Sequence, residues 1–395
     1  MRYQPPTNWI KYDIGAVTSE LVDAKAAVYS VKTVPYQRAW VESLQEMELK
    51  REVAGTSRIE GADFTEGELD EALKEESEKE LFTRSQKQAS AAMRAYRWIA
   101  TVPDDQPVDT GPILEIHRYI VTGADDDHCP PGEIRGRDQN VLFGSPRHRG
   151  AEGGEECAKA FNRLAEAVQK DFQGHDPLIQ ALAAHYHLAA LHPFLDGNDR
   201  TARALEALML QRAGLRDTSF IAMSNYYYDE KNAYLRVLNE VWASGYDLTA
   251  FLKLGLRGIY LQSQRLLKEI QGHISKALYR DLMHDLFRTT RTPRKRVIAK
   301  RQLHILTLLL ETDGMTVSKI IERTEGGYRT LKDPRGALIR DLNELFHLKA
   351  IGLEQKHGRD LWVFVRLEWP TEITEIQFFE DLKSLPKGKT FSFLR

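Results

Sequence analysis

Helical patterning through most of the first 290 residues constrains the fold of this 395-residue chain more than any other feature. Apolar and charged residues follow helical spacing over 36–54, 84–100 and 178–191, and no internal repeat interrupts them. The chain is longer than an ordinary domain with one hydrophobic core, so we predict two or three domains. We therefore expect a mainly α protein.

Composition argues against a membrane-spanning or a disordered chain. Hydrophobic residues make up 42% and charged residues 28% of the sequence, as in ordinary globular proteins. No apolar run approaches the roughly 20 residues of a membrane helix, and no basic stretch followed by an apolar one opens the chain. We expect a cytoplasmic protein without a membrane partner. Its two cysteines, Cys129 and Cys157, should be free thiols.

Two stretches break the helical pattern. Glycine and proline are dense over 130–150, where the β-prone residues 140–143 predict a short β-hairpin. Seven basic residues and no acidic one occupy 287–302 and indicate a boundary. Beyond it, helical patterns over 301–312, 316–323 and 334–347 precede two β-prone stretches near 351–355 and 361–366. This is the outline of a winged helix-turn-helix.

The segment Leu191–Arg203 has the backbone features of a phosphate seat. One helix should end at Pro193, and the next should begin near Asn198, where unpaired main-chain N–H groups favour an anion. Gly197 allows that anion to approach the backbone closely.

Side chains of the same segment suit transfer of a phosphorus-centred group. Arg200 and Arg203 are three residues apart and share a helix face, so they can clamp phosphate oxygens. Asp196 offers a hard oxygen ligand for Mg²⁺, and His192 can accept a proton from an attacking hydroxyl. Each residue alone is more often a helix cap or helix end, and only their combination favours catalysis.

This segment resembles the signature H-x-F-x-[DE]-G-N-G-R-x-x-R of the Fic family. The resemblance implies a helical catalytic core with a hairpin flap, and transfer of AMP from ATP to a Tyr, Thr or Ser hydroxyl of a protein with the help of Mg²⁺. It implies the following roles: His192 as general base, Phe194 as anchor of the loop, Asp196 as Mg²⁺ ligand, Gly197, Asn198 and Arg200 as contacts of the α- and β-phosphates, and Arg203 as contact of the γ-phosphate.

Asp199 stands where the family signature has its second glycine. Its N–H can still join the anion seat, but its carboxylate would lie near a triphosphate. At about 4 Å and an effective dielectric constant of ~20 the repulsion reaches several kcal/mol, less if the side chain points to solvent or binds the metal. An active enzyme with altered nucleotide handling, a weak enzyme and a pseudoenzyme all stay open.

The resemblance also covers the flap and a nucleoside site. The family carries its flap at the place of residues 130–144, which implies that Val141, Leu142, Phe143 and Gly144 contact the substrates and dock a target strand by β-augmentation. Downstream, Tyr234 and Leu235 are the nucleoside candidates, and core packing is the alternative. A zinc site at His185 and His187 is not favoured, because no cysteine or carboxylate spacing supports it.

Thr56–Gly61 resembles the inhibitory motif [ST]-x-x-x-E-[GN] of the family. The resemblance implies that Glu60 pairs with Arg203 and takes the place of the γ-phosphate, although Ser57-x-x-Glu60 also fits a capping box. Two further functions stay open. One is a de-AMPylase in which Glu60 orients a water, and the other is a DNA-binding regulator whose catalysis is impaired by Asp199.

The C-terminal region offers a second partner. The helix that begins at Asp333-Pro334 carries Arg335 and Arg340 and is compatible with DNA binding, to which the basic linker would add phosphate contacts. Protein binding stays open because Asp341, Glu344 and Glu354 dilute the positive charge. The sequence leaves self-modification and a homodimer open as well.

We predict a helical region with the inhibitory helix over 1–110, the catalytic core over 111–260, a helical and basic linker over 261–296, the winged helix-turn-helix over 297–370 and a tail over 371–395.

Overall fold

A computed structural model of the protein describes residues 2–35, 38–72, 83–139, 141–143, 148–214, 221–288, 293–355, 361–368 and 375–384. The chain divides into two compact units, 1–270 and 271–395. Helices dominate both, which confirms the predicted mainly α class. None of the helices in the described ranges has the length and apolar character needed to cross a bilayer.

The first unit is a helical assembly with one small hairpin. The hairpin consists of β1 (Leu142–Phe143) and β2 (His148–Arg149), and a short 3₁₀ helix covers Asp171–Gly174. The helices are α1 (Ile14–Thr33), α2 (Arg38–Ile59), α3 (Glu66–Ala72), α4 (Arg84–Thr101), α5 (Thr110–Val121), α6 (Glu155–Gln169), α7 (Pro177–Leu191), α8 (Asn198–Arg212), α9 (Met223–Asp229), α10 (Lys231–Ala243) and the beginning of α11 (Thr249–Arg288), whose residues after 270 belong to the second unit.

Helix α7 lies at the centre of this unit and packs most extensively against α8. Its residues from 178 to 191 are buried except Gln180, as expected of a helix that is apolar on all sides. Asp176 caps it by accepting the N–H of Leu178 at 3.0 Å, and Pro177 occupies the first helical position. The sequence predicts Asp176 and Pro177 as the cap and first residue of this helix and Pro193 as its stop, and both ends are confirmed.

The sequence predicts that Gly55 ends the helix over 36–54, but helix α2 passes through Gly55 and that prediction is wrong. A Cβ atom on Gly55 would lie 2.4 Å from the main-chain nitrogen of Asn225. The glycine is thus required by the close approach of α2 to α9 and does not act as a helix stop.

A Schellman motif ends α2 four residues later. The N–H of Gly61 donates to Arg58 O and the N–H of Ala62 donates to Ser57 O, both at 3.1 Å. Gly61 has a φ of +91°, which a residue with a side chain adopts only with strain. Because Ser57-x-x-Glu60 lies at the C-terminus of a helix, the capping-box alternative is wrong for this segment.

Two buried carboxylates fasten α2 to the start of α9. Glu52 accepts the hydroxyl of Tyr96 at 2.7 Å and the N–H of Ser224 at 2.8 Å. Glu48 accepts the N–H of Ala222 at 3.2 Å. Burial raises the pKa of Glu52 to about 7, although its hydrogen bonds act in the opposite direction.

The second unit follows the order of elements that the sequence predicts. Its three-stranded antiparallel sheet has the order β3–β5–β4. The turn at 356–359 lies outside the described residues, and the assignment as a winged helix-turn-helix and the domain limits stay predictions. The elements are α12 (Pro293–Glu311), β3 (Met315–Thr316), α13 (Val317–Tyr328), α14 (Pro334–His347), β4 (Ile351–Gln355), β5 (Leu361–Val365) and α15 (Glu375–Ser384).

Asp341 does not dilute the positive surface of α14, contrary to the sequence-based interpretation. It is buried, and it accepts Arg301 Nε at 2.8 Å and the hydroxyl of Tyr328 at 2.7 Å. Glu344 accepts Gln302 Nε2 at 2.6 Å. Arg301 is accordingly a structural cation of this unit and not part of a basic linker that contacts phosphates.

We predict that Gly55→Ala destabilises the first unit. The added methyl group would meet the backbone of residues 224 and 225, and such overpacking costs about 1–3 kcal/mol. Gly67→Ala in α3 is the matched control, because a Cβ there meets nothing within 4 Å. Urea unfolding should show the loss for Gly55→Ala only, and equal stability of the two variants would contradict the close approach.

A second prediction concerns pH. The pKa of Glu52 is raised from 4.5 to about 7 in the folded protein, so between these values the folded state binds more protons there than the unfolded chain. Stability should therefore fall by up to about 3 kcal/mol as pH rises through this range. Glu52→Gln should lack this fall, whereas Glu46→Gln on the exposed face of α2 should retain it. Urea unfolding at pH 5 and pH 7.5 provides the comparison.

Candidate active site

The loop between α7 and α8 holds His192 in a defined orientation. His192 is 8% exposed and has left-handed backbone angles, with φ 54° and ψ 61°. Its ring Nδ1 lies 2.7 Å from the carbonyl oxygen of Ala189. Since a carbonyl only accepts, Nδ1 carries the proton, and Nε2 of the neutral ring is the atom that can take a proton from a substrate.

Arg135 fixes the main chain of this loop, a role that the sequence analysis missed. It is 2% exposed, and its Nε donates to His192 O at 2.8 Å while its Nη1 donates to Gln139 O at 2.7 Å. Its main-chain N–H donates to Pro193 O at 3.0 Å. Burial lowers the pKa of Arg135. The only sequence signal was a basic residue inside the glycine-rich stretch predicted to form the flap.

Phe194 anchors the loop in the core, as the resemblance implies. It is fully buried and stacks on His117 with ring centroids 3.6 Å apart. Asn198 closes the loop from inside, because its amide accepts Phe194 N at 2.8 Å and donates to Phe194 O at 2.9 Å. A phosphate contact of Asn198 would therefore come from its main-chain N–H. Burial lowers the pKa of His117 to about 4, which keeps this ring neutral.

Both oxygens of Asp196 are already met by donors. Oδ2 accepts Arg84 Nη2 at 2.9 Å and contacts His128 Nε2 at 3.0 Å. Oδ1 accepts the N–H of Gly197 at 2.6 Å and Arg200 Nη2 at 3.3 Å. Burial alone would raise the pKa of Asp196, but these hydrogen bonds and charges hold it below its usual range. The assignment of Asp196 as Mg²⁺ ligand stays a prediction.

Asp125 extends this network inward. It is fully buried, and it pairs with Arg200 Nη2 at 2.8 Å and with Arg84 Nη2 at 2.6 Å. Ligand atoms of Asp125, His128 and Asp196 lie within 4.8 Å of one another. A cation bound among them would compete with the two arginines. The sequence analysis missed Arg84, Asp125 and His128, since nothing in their spacing links them to the loop.

Arg203 is buried and paired with the residues of the inhibitory motif. Its Nε donates to Thr56 Oγ1 at 2.9 Å, and its Nη2 lies 2.6 Å from Glu60 Oε1. Burial works to lower the pKa of Arg203, but the charges of Glu60 and Asp199 raise it above its usual value. The structure thus brings together the two residues that the resemblance implies.

Three buried polar atoms in the first two turns of α8 meet no hydrogen-bond partner within the described ranges. They are Nη1 of Arg200, Nη1 of Arg203 and Oδ1 of Asp199. Buried polar atoms are normally paired, so each of them indicates a place where a ligand atom completes the site.

Tyr234 is buried in the core next to Arg203. This placement agrees with the alternative that Tyr234 packs in the core instead of contacting a nucleoside. It is 1% exposed, and its hydroxyl lies 2.9 Å from His185 Nε2. Leu235 is half-buried. Their role as nucleoside contacts stays a prediction. His185 also contacts Glu206, and His187 contacts Tyr3 and Trp9, so both histidines have structural partners.

The flap hairpin forms where the sequence predicts it. Leu142 pairs with Arg149 and Phe143 with His148, and Leu142 is 48% exposed. The N–H of Gly150 donates to Val141 O at 3.3 Å. Gly144 lies outside the described residues. Docking of a target on this hairpin stays a prediction.

The part of the chain that contains the loop between α7 and α8 is similar to known proteins. Residues 107–210 match the Fic/DOC family. The protein adenylyltransferase Fic of Nematostella vectensis is 31% identical over 146 residues, which cover 37% of this chain and 31% of the relative. Its counterpart in Culex quinquefasciatus is 43% identical over 129 residues, which cover 32% and 24%. The alignments thus span less than a third of each relative.

Solved structures share the fold. A Fic family protein from Desulfovibrio desulfuricans superposes with a TM-score of 0.57 at 18% identity, over 92% of this chain and 98% of that one. Fic-1 from Caenorhabditis elegans superposes with a TM-score of 0.53 at 20% identity, over 65% and 74%. Residues 107–210 of the chain therefore match a Fic/DOC domain, and the superpositions show that the fold of these neighbours is shared.

Proposed function

We propose that the protein transfers AMP from ATP to a hydroxyl of a protein target and that Glu60 restrains this activity. One observation carries the proposal. The buried guanidinium of Arg203 is held by the carboxylate of Glu60, yet its Nη1 keeps a hydrogen-bond donor without a partner in the described structure. A phosphate can satisfy both demands at once. The names of the relatives from Nematostella and Culex support this reaction.

Transfer would proceed by attack of the target's hydroxyl oxygen on the α-phosphorus. Nε2 of His192 takes the hydroxyl proton, because Nδ1 is already protonated toward Ala189 O. The bond from the α-phosphorus to the oxygen that bridges it to the β-phosphorus breaks, and pyrophosphate leaves. Arg200, Arg203 and the N–H groups at the start of α8 stabilise the phosphate charge. Mg²⁺ would neutralise further charge, with Asp196 as its predicted ligand.

The hairpin offers an edge for the target's backbone. Because Val141 O points toward β2, strand alternation turns the N–H and C=O of Leu142 to the opposite side of β1. The far side of β2 is used by the N-terminal segment, where Tyr3 N donates to Arg149 O at 3.3 Å. A target strand would therefore pair with β1 at Leu142. A cytoplasmic location, self-modification and a homodimer stay predictions.

We predict that Glu60→Gly raises transfer of labelled AMP from ATP to the chain itself or to lysate proteins by roughly tenfold or more. A contact worth 1.4 kcal/mol already lowers the competent population tenfold, and this contact is partly buried. His192→Ala in the same background should abolish the label. Asp63→Gly, which removes an exposed carboxylate just after the motif, should leave transfer at the level of the unchanged protein.

The same variants separate transfer from removal of AMP. If Glu60 orients a water, the unchanged protein should release AMP from a modified target, and Glu60→Gly should not. Absence of label with Glu60→Gly, together with such release by the unchanged protein, would contradict transfer and favour de-AMPylation.

DNA binding by the second unit is a second candidate function. Burial of Asp341 in its pair with Arg301 removes one acidic group from the exposed charge of α14, and Glu344 is partly buried against Gln302. Arg329, Lys332 and Arg335 are exposed at the turn before α14 and in its first turn. An exposed basic cluster at the start of such a helix suits phosphate contacts.

We predict that the full chain binds duplex DNA with an affinity that falls steeply with salt. Lys332→Ala should reduce the slope of log K against log[salt] by about 1, because one phosphate contact is lost. Lys87→Ala, on the exposed face of α4, should leave the slope unchanged. Fluorescence anisotropy at several salt concentrations measures it, and equal slopes for the two variants would exclude this surface.

A further inference from the structure

Four buried polar side chains, one from each of the helices α7 to α10, form a cluster beside Arg203. They are His185, Glu206, Tyr227 and Tyr234, and each is at most 1% exposed. Nδ1 of His185 contacts Glu206 Oε2, and the hydroxyl of Tyr227 donates to the same oxygen at 2.9 Å. Well-packed apolar side chains of similar volume often fill such a space with equal stability. The polar groups therefore indicate a task beyond packing.

The hydrogen bonds of this cluster determine which way the hydroxyl of Tyr234 points. Because a carboxylate only accepts, Nδ1 of His185 carries the proton in its contact with Glu206. In the neutral ring Nε2 is then an acceptor, and the Tyr234 hydroxyl, 2.9 Å away, donates to it. The lone pairs of the Tyr234 oxygen are left for a donor from another residue.

The guanidinium of Arg203 is the donor next to this oxygen. Burial raises the pKa of Tyr234, and the positive charge of Arg203 acts against this rise. Nη1 of Arg203 is buried and meets no hydrogen-bond partner within the described ranges. Each Nη of a guanidinium carries two N–H groups, so Nη1 can donate to Tyr234 and to a phosphate oxygen at the same time.

The hydrogen bonds that hold Arg203 in this structure come from the segment that carries Glu60. Nε and Nη2 donate to Thr56, at 2.9 Å to its Oγ1 and 3.3 Å to its O, and Nη2 pairs with Glu60. When Glu60 leaves, the guanidinium loses its charged partner, and its long side chain gains freedom that phosphate binding has to remove again. Tyr234 belongs to α10, so its contact does not depend on the end of α2.

We propose that the hydroxyl of Tyr234, oriented by His185 and Glu206, is a positioning group that holds Arg203 ready for the terminal phosphate once Glu60 has left. This inference rests on the proposed function. It gives Tyr234 a task at the phosphate end of the nucleotide, whereas the family resemblance implies one at the nucleoside. The two tasks lead to different results with nucleotides that have and lack the terminal phosphate.

The test compares binding of two such nucleotides by calorimetry in Mg²⁺. Glu60→Gly is the parent, and the probes are ADP and an ATP analogue with a methylene group between the α- and β-phosphorus. For Tyr234→Phe, which removes only the hydroxyl, we expect the analogue to bind roughly tenfold more weakly, the effect of one hydrogen bond to a charged group. ADP should bind as it does to the parent.

Tyr227→Phe is the matched control. It removes a hydroxyl from the same cluster, but this hydroxyl contacts Glu206 and not Arg203, so the ratio of the two affinities should stay at the value of the parent. Glu206→Gln should lower the ratio by several-fold, because a neutral amide polarises His185 less than a carboxylate does. An unchanged ratio in Glu206→Gln would overturn the orientation of Tyr234 by this carboxylate.

The other outcomes are equally distinct. Equal losses for both nucleotides in Tyr234→Phe would place its hydroxyl at the nucleoside and overturn the inference, and unchanged affinities for both would overturn it as well. The same selective loss in Tyr227→Phe would show a general loosening of the cluster, which also contradicts it. Melting temperatures of all variants verify that they fold.

Arg203→Gln in the same parent separates the inference from the proposed function. If this variant keeps the ratio of the parent, Arg203 does not meet the terminal phosphate and the proposed function fails. If it loses affinity for the analogue selectively while Tyr234→Phe does not, only the inference fails. A parent that binds neither nucleotide would remove both.

Discussion

The buried guanidinium of Arg203 imposes the constraint on which the rest of the site depends. An ion removed from water must be paired, because the desolvation cost is several kcal/mol and remains if the partner is lost. Thr56 in the last turn of α2 and Glu60, which follows its last residue, provide the partners, far from α8 in sequence. The C-terminal end of α2 is therefore held by its pairing with Arg203. Gly55 and Glu52, which set how closely α2 approaches α9, act on the active site through this one cation.

The sequence predicted the parts of the site that are local. Helix ends and the seat between α7 and α8 follow from periodicity, capping residues and proline, since each depends on neighbours within a few positions. The role of Phe194 as anchor came from the resemblance to the family signature. The Glu60–Arg203 pair was accessible only through resemblance to a motif, because no spacing rule connects residues 143 positions apart. The order of elements in the second unit was predicted in the same local way.

Residues that act across the fold could not be predicted. Arg84, Asp125 and Arg135 come from three different segments and meet the loop only after the helices pack. Gly55 could not be interpreted correctly for the same reason. A glycine inside a helical pattern indicates a helix end unless the backbone that packs against it is known. Tyr234 was ambiguous for a related reason. A tyrosine on a helix fits a ligand pocket and a core equally well until its hydroxyl partner, His185, is located.

The Schellman motif at the end of α2 has a mechanical consequence. Glu48 and Glu52 hold the middle of the helix, whereas Glu60 follows its last residue, Ile59, and precedes Gly61 in a left-handed conformation. Helix ends open at much lower free energy than helix middles. Release of Arg203 therefore requires that only the final turn unwinds, together with the contact of Lys231 to Ile59 O, while the body of α2 stays in place. In the proposed inhibition, Glu60 acts at the C-terminal tip of α2, and the body of the helix need not move for Arg203 to be released.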